Sequence, residues 1–324
     1  MDIFIKKSLP VRTKVFDTYW KFAAERQNVF FNKIHKKDTL TEDKVISKHK
    51  FTNTYRASDR VSQYLINNII YKKSFSEKDT LLRIILFKIF NKIETWQLLE
   101  KRCKEISIDT FSFRNFSEIL SQRMLSKEPI YSAAYIMASA KKNYGFTRKH
   151  ENHLKLIEQE VIKGNLFEKV QNSKSLEEVF FSLKSLPTFG DFLSFQIAID
   201  INYSNIIDFS EMDFVVAGPG AKDGIHKCFS DLKDYSYSDI IKHVTDIQEK
   251  EFENLDLKFK KIGDRNLQLI DCQNIFCETD KYARIIHPEY KGLSNRTRIK
   301  QIYKPNKSFV DYAYPPKWNI QKIK

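Results

Sequence analysis

The sequence predicts a mainly α-helical protein, and three observations carry that expectation. Apolar residues recur every three to four positions along most of the chain. Two-residue alternation, the mark of a strand, is visible only over 266–271. Glycine is scarce, eight in 324 residues, and three of the eight fall within 218–224.

The elements follow in order. Val15–Ile34 puts Phe16, Trp20, Ala23, Phe30 and Ile34 along one stripe, an amphipathic N-terminal helix expected to pack on the body. The lysine-rich stretch 35–50 reads as a loop or strap. A second helix is expected over Asp59–Tyr71, with Ser58 or Asp59 as its N-cap. Further helices are expected over 78–105, 115–124, 129–142, 150–162, 175–184, 190–202, 221–233 and 237–255. The tail from 288 carries Pro288, Pro305, Pro315 and Pro316 and reads as extended or irregular. No repeat, low-complexity tract or long linker interrupts the chain. The expected organisation is therefore a lobe over 51–180, a second over 181–300, and a tail over 301–324.

Charge narrows the partners. Fifty-five basic residues against 41 acidic give a net charge of +14. The excess recurs at 5–14, 33–50, 72–104, 141–149 and 281–307, interleaved with Tyr and Phe. Such a surface suits a polyanion, and double-stranded DNA is the expected partner. A proteome using lysine as its default surface residue would account for the same excess. No apolar run of membrane-spanning length or signal segment is visible, so a soluble, cytoplasmic protein with no membrane partner is expected. Cys103, Cys228, Cys272 and Cys277 are too scattered for a disulfide framework or a four-ligand metal site. His150 and His153 stand close together, and neither they nor His226 have carboxylate or thiol partners at metal-site spacing. No metal and no cofactor is expected.

The two glycine-bearing phrases are the most informative. Leu186-Pro187-Thr188-Phe189-Gly190 and Val216-Ala217-Gly218-Pro219-Gly220-Ala221 each lead into an apolar-periodic stretch. A turn feeding a helix N-terminus presents unpaired amides at the positive end of the dipole, which suits a phosphate. Gly190, Gly218 and Gly220 are the candidate backbone contacts to DNA. Between the phrases lies an acidic loop with Asp208, Glu211 and Asp213.

The first phrase resembles the helix-hairpin-helix element of DNA glycosylases, with Thr188 where the first of two glycines usually stands. The second, with Ala57–Asn68 and Cys277–Arg284, resembles the helical domain associated with 5-hydroxymethyluracil DNA kinases and α-glutamyl/putrescinyl-thymine pyrophosphorylases. That resemblance covers about 15–300 and implies a glycosylase-like helical fold of two lobes working on hypermodified pyrimidines in DNA. The P-loop pattern of a kinase is missing from 218–224, so kinase activity is not carried over.

On this reading the expected activity is a DNA glycosylase that flips out a modified pyrimidine and cleaves its glycosidic bond, with an anti-phage role. Asp213 is the expected catalytic carboxylate, with Asp208 and Glu211 as rivals, and Asp239 if the hairpin is Gly218–Gly220. Phe192 stands where bifunctional glycosylases carry a lysine after Gly190, which favours a monofunctional enzyme; after Gly220 that place holds Lys222. Arg60, Gln63 and Asn67 share one helix face and could read a base edge, or form its wet side. Tyr282 is a candidate stacking ring and Arg284 a backbone contact. Lys222, Lys227, Arg296, Arg298 and Lys300 are candidate phosphate contacts. Two other readings stay open: a transferase acting on activated 5-hydroxymethyluracil in DNA, and a binding module for modified DNA without chemistry.

Overall fold

The computed structural model describes residues 8–133, 137–305 and 311–321. In chain order its helices are α1 (Lys14–Ile34), α2 (Lys44–Lys48), α3 (Arg60–Tyr64), α4 (Glu77–Phe90) and α5 (Ile93–Cys103). Next come α6 (Phe113–Leu125), α7 (Lys141–Tyr144), α8 (Lys149–Leu156), α9 (Leu166–Asn172) and α10 (Leu176–Lys184). The last five are α11 (Asp191–Asn202), α12 (Pro219–Cys228), α13 (Tyr237–Asp246), α14 (Gln248–Asn254) and α15 (Leu269–Ile286). Two short strands, β1 (Val11–Arg12) and β2 (Phe229–Asp231), pair antiparallel and form the one sheet among the described residues. The fold is mainly α, as the periodicity predicts.

The chain divides into two compact units. The first holds the described residues up to Asp59, then Glu211–Tyr312 and those from Asn319 onward. The second holds Arg60–Ser210 and Ala313–Trp318.

In the first unit α1 packs on α12 and α15. Thr13 caps α1 by accepting the Val15 amide at 3.1 Å. Its apolar stripe is sealed by rings: Trp20 meets Phe252 edge-on, Tyr19 lies on Phe276, and Phe16 on Phe229. Edge-to-face aromatic packing of this kind adds roughly 0.5–1.5 kcal/mol per pair beyond area burial.

In the second unit α4 is buried on every side from Thr80 to Phe90, as a helix apolar all round must be. It packs on α11, where Lys88 and Asp200 form a buried ion pair at 3.0 Å. Helices α10 and α11 pack on each other across the turn 185–190. Two π-helical stretches, Leu65–Ile70 and Ile157–Ile162, extend α3 and α8.

Several expected boundaries shift. The stretch 78–105 breaks in two because Asn91 adopts a left-handed conformation (φ 47°) and ends α4. The expected helix over 129–142 is irregular in its described part up to Ala140, and 134–136 lie outside the described residues. The expected strand over 266–271 is instead the entry to α15, where Gln268 and Asp271 form a reciprocal cap. The lysine-rich strap contains α2, capped by Asp43.

Candidate functional site

The pairing of α12 with α15 organises the first unit. Gly218 caps α12 in an extended conformation (φ −69°, ψ 166°) and Pro219 opens the helix, where a missing N–H costs nothing. Gly220 and Gly224 are four residues apart and face α15. A Cβ at Gly220 would overlap the Cys277 sulfur, and one at Gly224 the Phe276 carbonyl. The close approach that these glycines permit is therefore that of a neighbouring helix. Gly218 remains at the end where the first amides of α12 emerge.

The charged residues of this pair are largely spent on each other. Lys227 is 1% exposed, pairs with Asp280 at 2.9 Å and donates to the Asp280 carbonyl at 3.0 Å. That position leaves its ammonium no surface for a phosphate. Arg284 also pairs with Asp280 and donates to the Arg298 carbonyl at 2.9 Å. Tyr282 donates its hydroxyl to Asp43 and packs between Phe22 and Phe51, so its ring is a packing element. Burial and the Asp43 carboxylate hold its phenol well above the ordinary range. Lys222 stands with its ammonium 5.2 Å from the Tyr237 ring centre.

The acidic candidates separate by their partners. Glu211 is buried and paired with Arg265 at 3.0 Å. Asp239 is consumed in the reciprocal cap of α13 with Ser236. Asp208, in the second unit, pairs with Lys317 at 3.1 Å. Asp213 is exposed, and among the described residues it makes no ion pair. It lies on the segment that leads into Gly218 and α12.

A second group of carboxylates was not singled out by sequence reasoning. Asp59 accepts the Asn53 amide at 2.7 Å, and the Asn53 side chain bridges the Ser58 carbonyl and Arg26. Asp271 accepts the Arg56 amide at 2.7 Å, and Glu278 accepts that of Thr52 at 3.1 Å. Burial pushes the Asp59 carboxyl up to about 7, with Glu278 adding to the rise. The Asn53 amide, Arg56 and Arg26 oppose it without restoring an ordinary carboxylate. The signal is within reach of the sequence, since Asp59 lies in the Ala57–Asn68 stretch, but an aspartate at that position equally suits a helix cap.

In the second unit, Arg60 is exposed at the start of α3. Gln63 is buried and grips residue 313 from both sides, donating to the Ala313 carbonyl and accepting its amide, each at 2.9 Å. Asn67 reaches the Gln63 side chain at 3.5 Å. The polar stripe is thus partly a clamp on the C-terminal segment. Gly190 caps α11, and Thr188 before it holds φ 71°, a left-handed conformation in which glycine is the favoured residue.

Comparison with known proteins defines the class. The family model for the helical domain of 5-hmdU DNA kinases matches residues 13–292, and the chain belongs to that family. A particular relative, the 5-hmdU DNA kinase of Bacillus phage SP10, is 29% identical over 289 residues. The match covers 83% of this chain and 45% of the relative, so the chain spans less than half of that protein's length. No solved structure matches.

These findings correct the functional expectation. The relative is by name a kinase, a transferase, whereas glycosidic cleavage is hydrolysis. The DNA glycosylase reading, with its base excision and antiviral role, is overturned. The physical reason for the error is plain: a carboxylate near two glycine turns fits many reactions on DNA, and nothing in that pattern distinguishes bond cleavage from group transfer. Among the described residues no helix is long and apolar enough to cross a membrane, and no group of three or more His, Cys, Asp or Glu could hold a metal.

Proposed function

We propose that this chain engages DNA carrying 5-hydroxymethyluracil and serves modification of that base in place, leaving the glycosidic bond intact. The observation that carries this reading is the family match over 13–292. The net charge of +14 supports a nucleic-acid partner, because Lys and Arg release counterions from the phosphate backbone. The chain's role is on the side of the DNA substrate: holding the strand and presenting the hydroxymethyl group.

Within that role, the ammonium of Lys222 would face a phosphate at the N-terminus of α12, where Gly218 is buried and Pro219 has no N–H to offer. The turn ending at Gly190 would do the same for α11. Asp213 would accept a hydrogen bond from the hydroxyl of the modified base. What supports Asp213 is its exposure, its lack of an ion pair among the described residues, and its place on the segment entering α12. Arg60, exposed on α3, would contribute a backbone contact.

The test compares equilibrium binding to two duplexes that differ only in thymine or 5-hydroxymethyluracil at one position, with mass spectrometry of the recovered DNA. The expected result is tighter binding of the hydroxymethyl duplex, with every base retained. Equal affinity for the two duplexes, or loss of the base, refutes the proposal. A gain in mass on the modified base when ATP is supplied would place the transfer step itself in this chain.

A further inference from the structure

The second unit contains a basic cleft with a volume of about 290 Å³ that the reading above does not use. It is formed where the segment 72–75, Arg83 of α4 and the end of α5 converge.

Arg83 forms one wall and is 1% exposed. Its guanidinium donates to the carbonyls of Ile69, Ile106 and Asn68 at 3.0, 3.0 and 3.3 Å. It lies 3.9 Å from the Phe75 ring centre and 4.9 Å from that of Trp96. Among the described residues no carboxylate comes within ion-pair distance of it. Glu100, Glu105 and Asp79 act on it at longer range and offset its charge in part, but the cleft's five cations outnumber its two carboxylates, Glu100 and Glu105.

Four lysines surround the same cleft. Lys72 pairs with Glu100 at 3.0 Å and Lys73 with Glu105 at 3.2 Å. Lys101 and Lys104 have no ion-pair partner among the described residues. The C-terminal dipole of α5 would account for one lysine at this end. It does not account for two lysines without an ion pair beside a buried arginine. Lys104 also holds φ 62° and ψ −49°, and the Glu105 amide donates across it to the Cys103 carbonyl at 2.7 Å. A lysine in this tight three-residue turn is strained, since a left-handed φ favours glycine.

We propose that this cleft is a phosphate-binding site, separate from α12 and its segment, in which Lys101 and Lys104 are the contacting cations and Arg83 supplies the background charge. Lysine suits this task as a mobile point charge able to follow a phosphate oxygen. The volume stands just below that of small-ligand pockets and admits a phosphate group. The phosphate could belong to the DNA backbone or to a free nucleoside triphosphate. The inference stands on the cleft alone and does not need the base preference.

The experiment compares the parent protein with Lys101→Gln/Lys104→Gln. A control, Lys169→Gln/Lys174→Gln, removes equal charge from exposed positions elsewhere in the same unit. Duplex binding is followed over a range of KCl concentrations, and ATP binding by calorimetry. If the source is DNA, the cleft variant lowers the slope of log affinity against log salt by about two, one per lost phosphate contact, for thymine and hydroxymethyl duplexes alike. If the source is a free nucleotide, ATP affinity falls tenfold or more and the DNA slope is unchanged. Unchanged slope and unchanged ATP affinity, an equal drop in the control, or a parent that binds neither probe overturns the inference. Equal affinity of the parent for the two duplexes would refute the base-specific reading and leave this one standing.

Discussion

The α-carbon of Gly224 lies against the carbonyl of Phe276, so that no side chain of any size fits between α12 and α15 at that level. Replacement by alanine must push the helices apart. Overpacking of this kind typically costs 1–3 kcal/mol, against a helix-propensity gain of about 1 kcal/mol for alanine over glycine. The overlap is with backbone, so the upper end applies, and we expect Gly224→Ala to lower stability by a net of about 2 kcal/mol in urea unfolding. Gly220→Ala should cost less, because it meets the sulfur of a side chain, and Cys277→Ala should restore most of that loss. Equal stability of Gly224→Ala and the parent would show that the pairing tolerates separation.

Asp59 makes stability depend on pH in a defined direction. Its carboxyl is raised from 3.8 to about 7 by burial in the folded protein. The folded state therefore binds the proton more tightly than the unfolded chain. The contribution is fully present below about pH 4, declines as pH rises toward 7, and is flat above. At about 1.4 kcal/mol per pH unit of pKa difference, the total swing is on the order of 4 kcal/mol. Asp59→Asn keeps an acceptor for the Asn53 amide and removes the titration. Unfolding measured from pH 4 to 8 should lose this decline in the variant, which should exceed the parent in stability at pH 8. A parent whose stability does not fall across that window would rule the assignment out.

How much of this was legible follows from what each helix buries. α1 was readable because Phe16, Trp20, Ala23 and Phe30 repeat with helical spacing and all are buried. α11 was readable for the same reason through Leu193, Ile197 and Ile201. α15 was not, since its interior face carries Asp271, Gln273, Glu278, Thr279 and Asp280 among the apolar residues. Buried polar groups with dedicated partners erase the hydrophobic period. The glycine cluster was located correctly as a point of close approach, but sequence does not say whether the neighbour is a phosphate or a helix. The basic cleft was invisible because its cations come from three separate segments, Lys72 and Lys73, Arg83 of α4, and Lys101 and Lys104 at the end of α5, that only the fold brings together. The family was legible from short motifs, but the choice between excision and group transfer was not.

The buried Lys227–Asp280–Arg284 group predicts an unequal response to single substitutions. Asp280 has two cationic partners, at 2.9 Å from Lys227 and in contact with Arg284. Lys227→Met leaves the carboxylate paired with Arg284. Asp280→Ala strands two cations, one of them fully buried. Breaking a buried pair from one side costs about 3–5 kcal/mol when an uncompensated charge remains. Asp280→Ala should approach that figure and Lys227→Met should fall clearly below it. The Lys227→Met/Asp280→Asn double variant should be less destabilised than the sum of its singles. Urea midpoints for the four proteins decide, and equal costs for the two single variants would contradict the asymmetry.

Asp213 is the last point at which the proposal can be tested by a small change. The side chain is exposed, so Asp213→Ala should shift stability by no more than about 0.5 kcal/mol. Near a DNA backbone its negative charge repels phosphates, so removing it should leave affinity for a thymine duplex equal or higher. Its proposed hydrogen bond to the hydroxymethyl group acts in the opposite sense and only on the modified duplex. A hydrogen bond to a charged acceptor contributes about 1.5–3 kcal/mol. Asp213→Ala should therefore collapse the ratio of the two affinities by roughly tenfold or more, while Asp213→Asn, which keeps an acceptor oxygen, should retain part of it. The Lys101→Gln/Lys104→Gln variant, if its cleft holds DNA phosphates, should weaken both duplexes without changing their ratio. An unchanged ratio in Asp213→Ala would remove this residue from base recognition and leave the engagement of modified DNA to be sought elsewhere on the first unit.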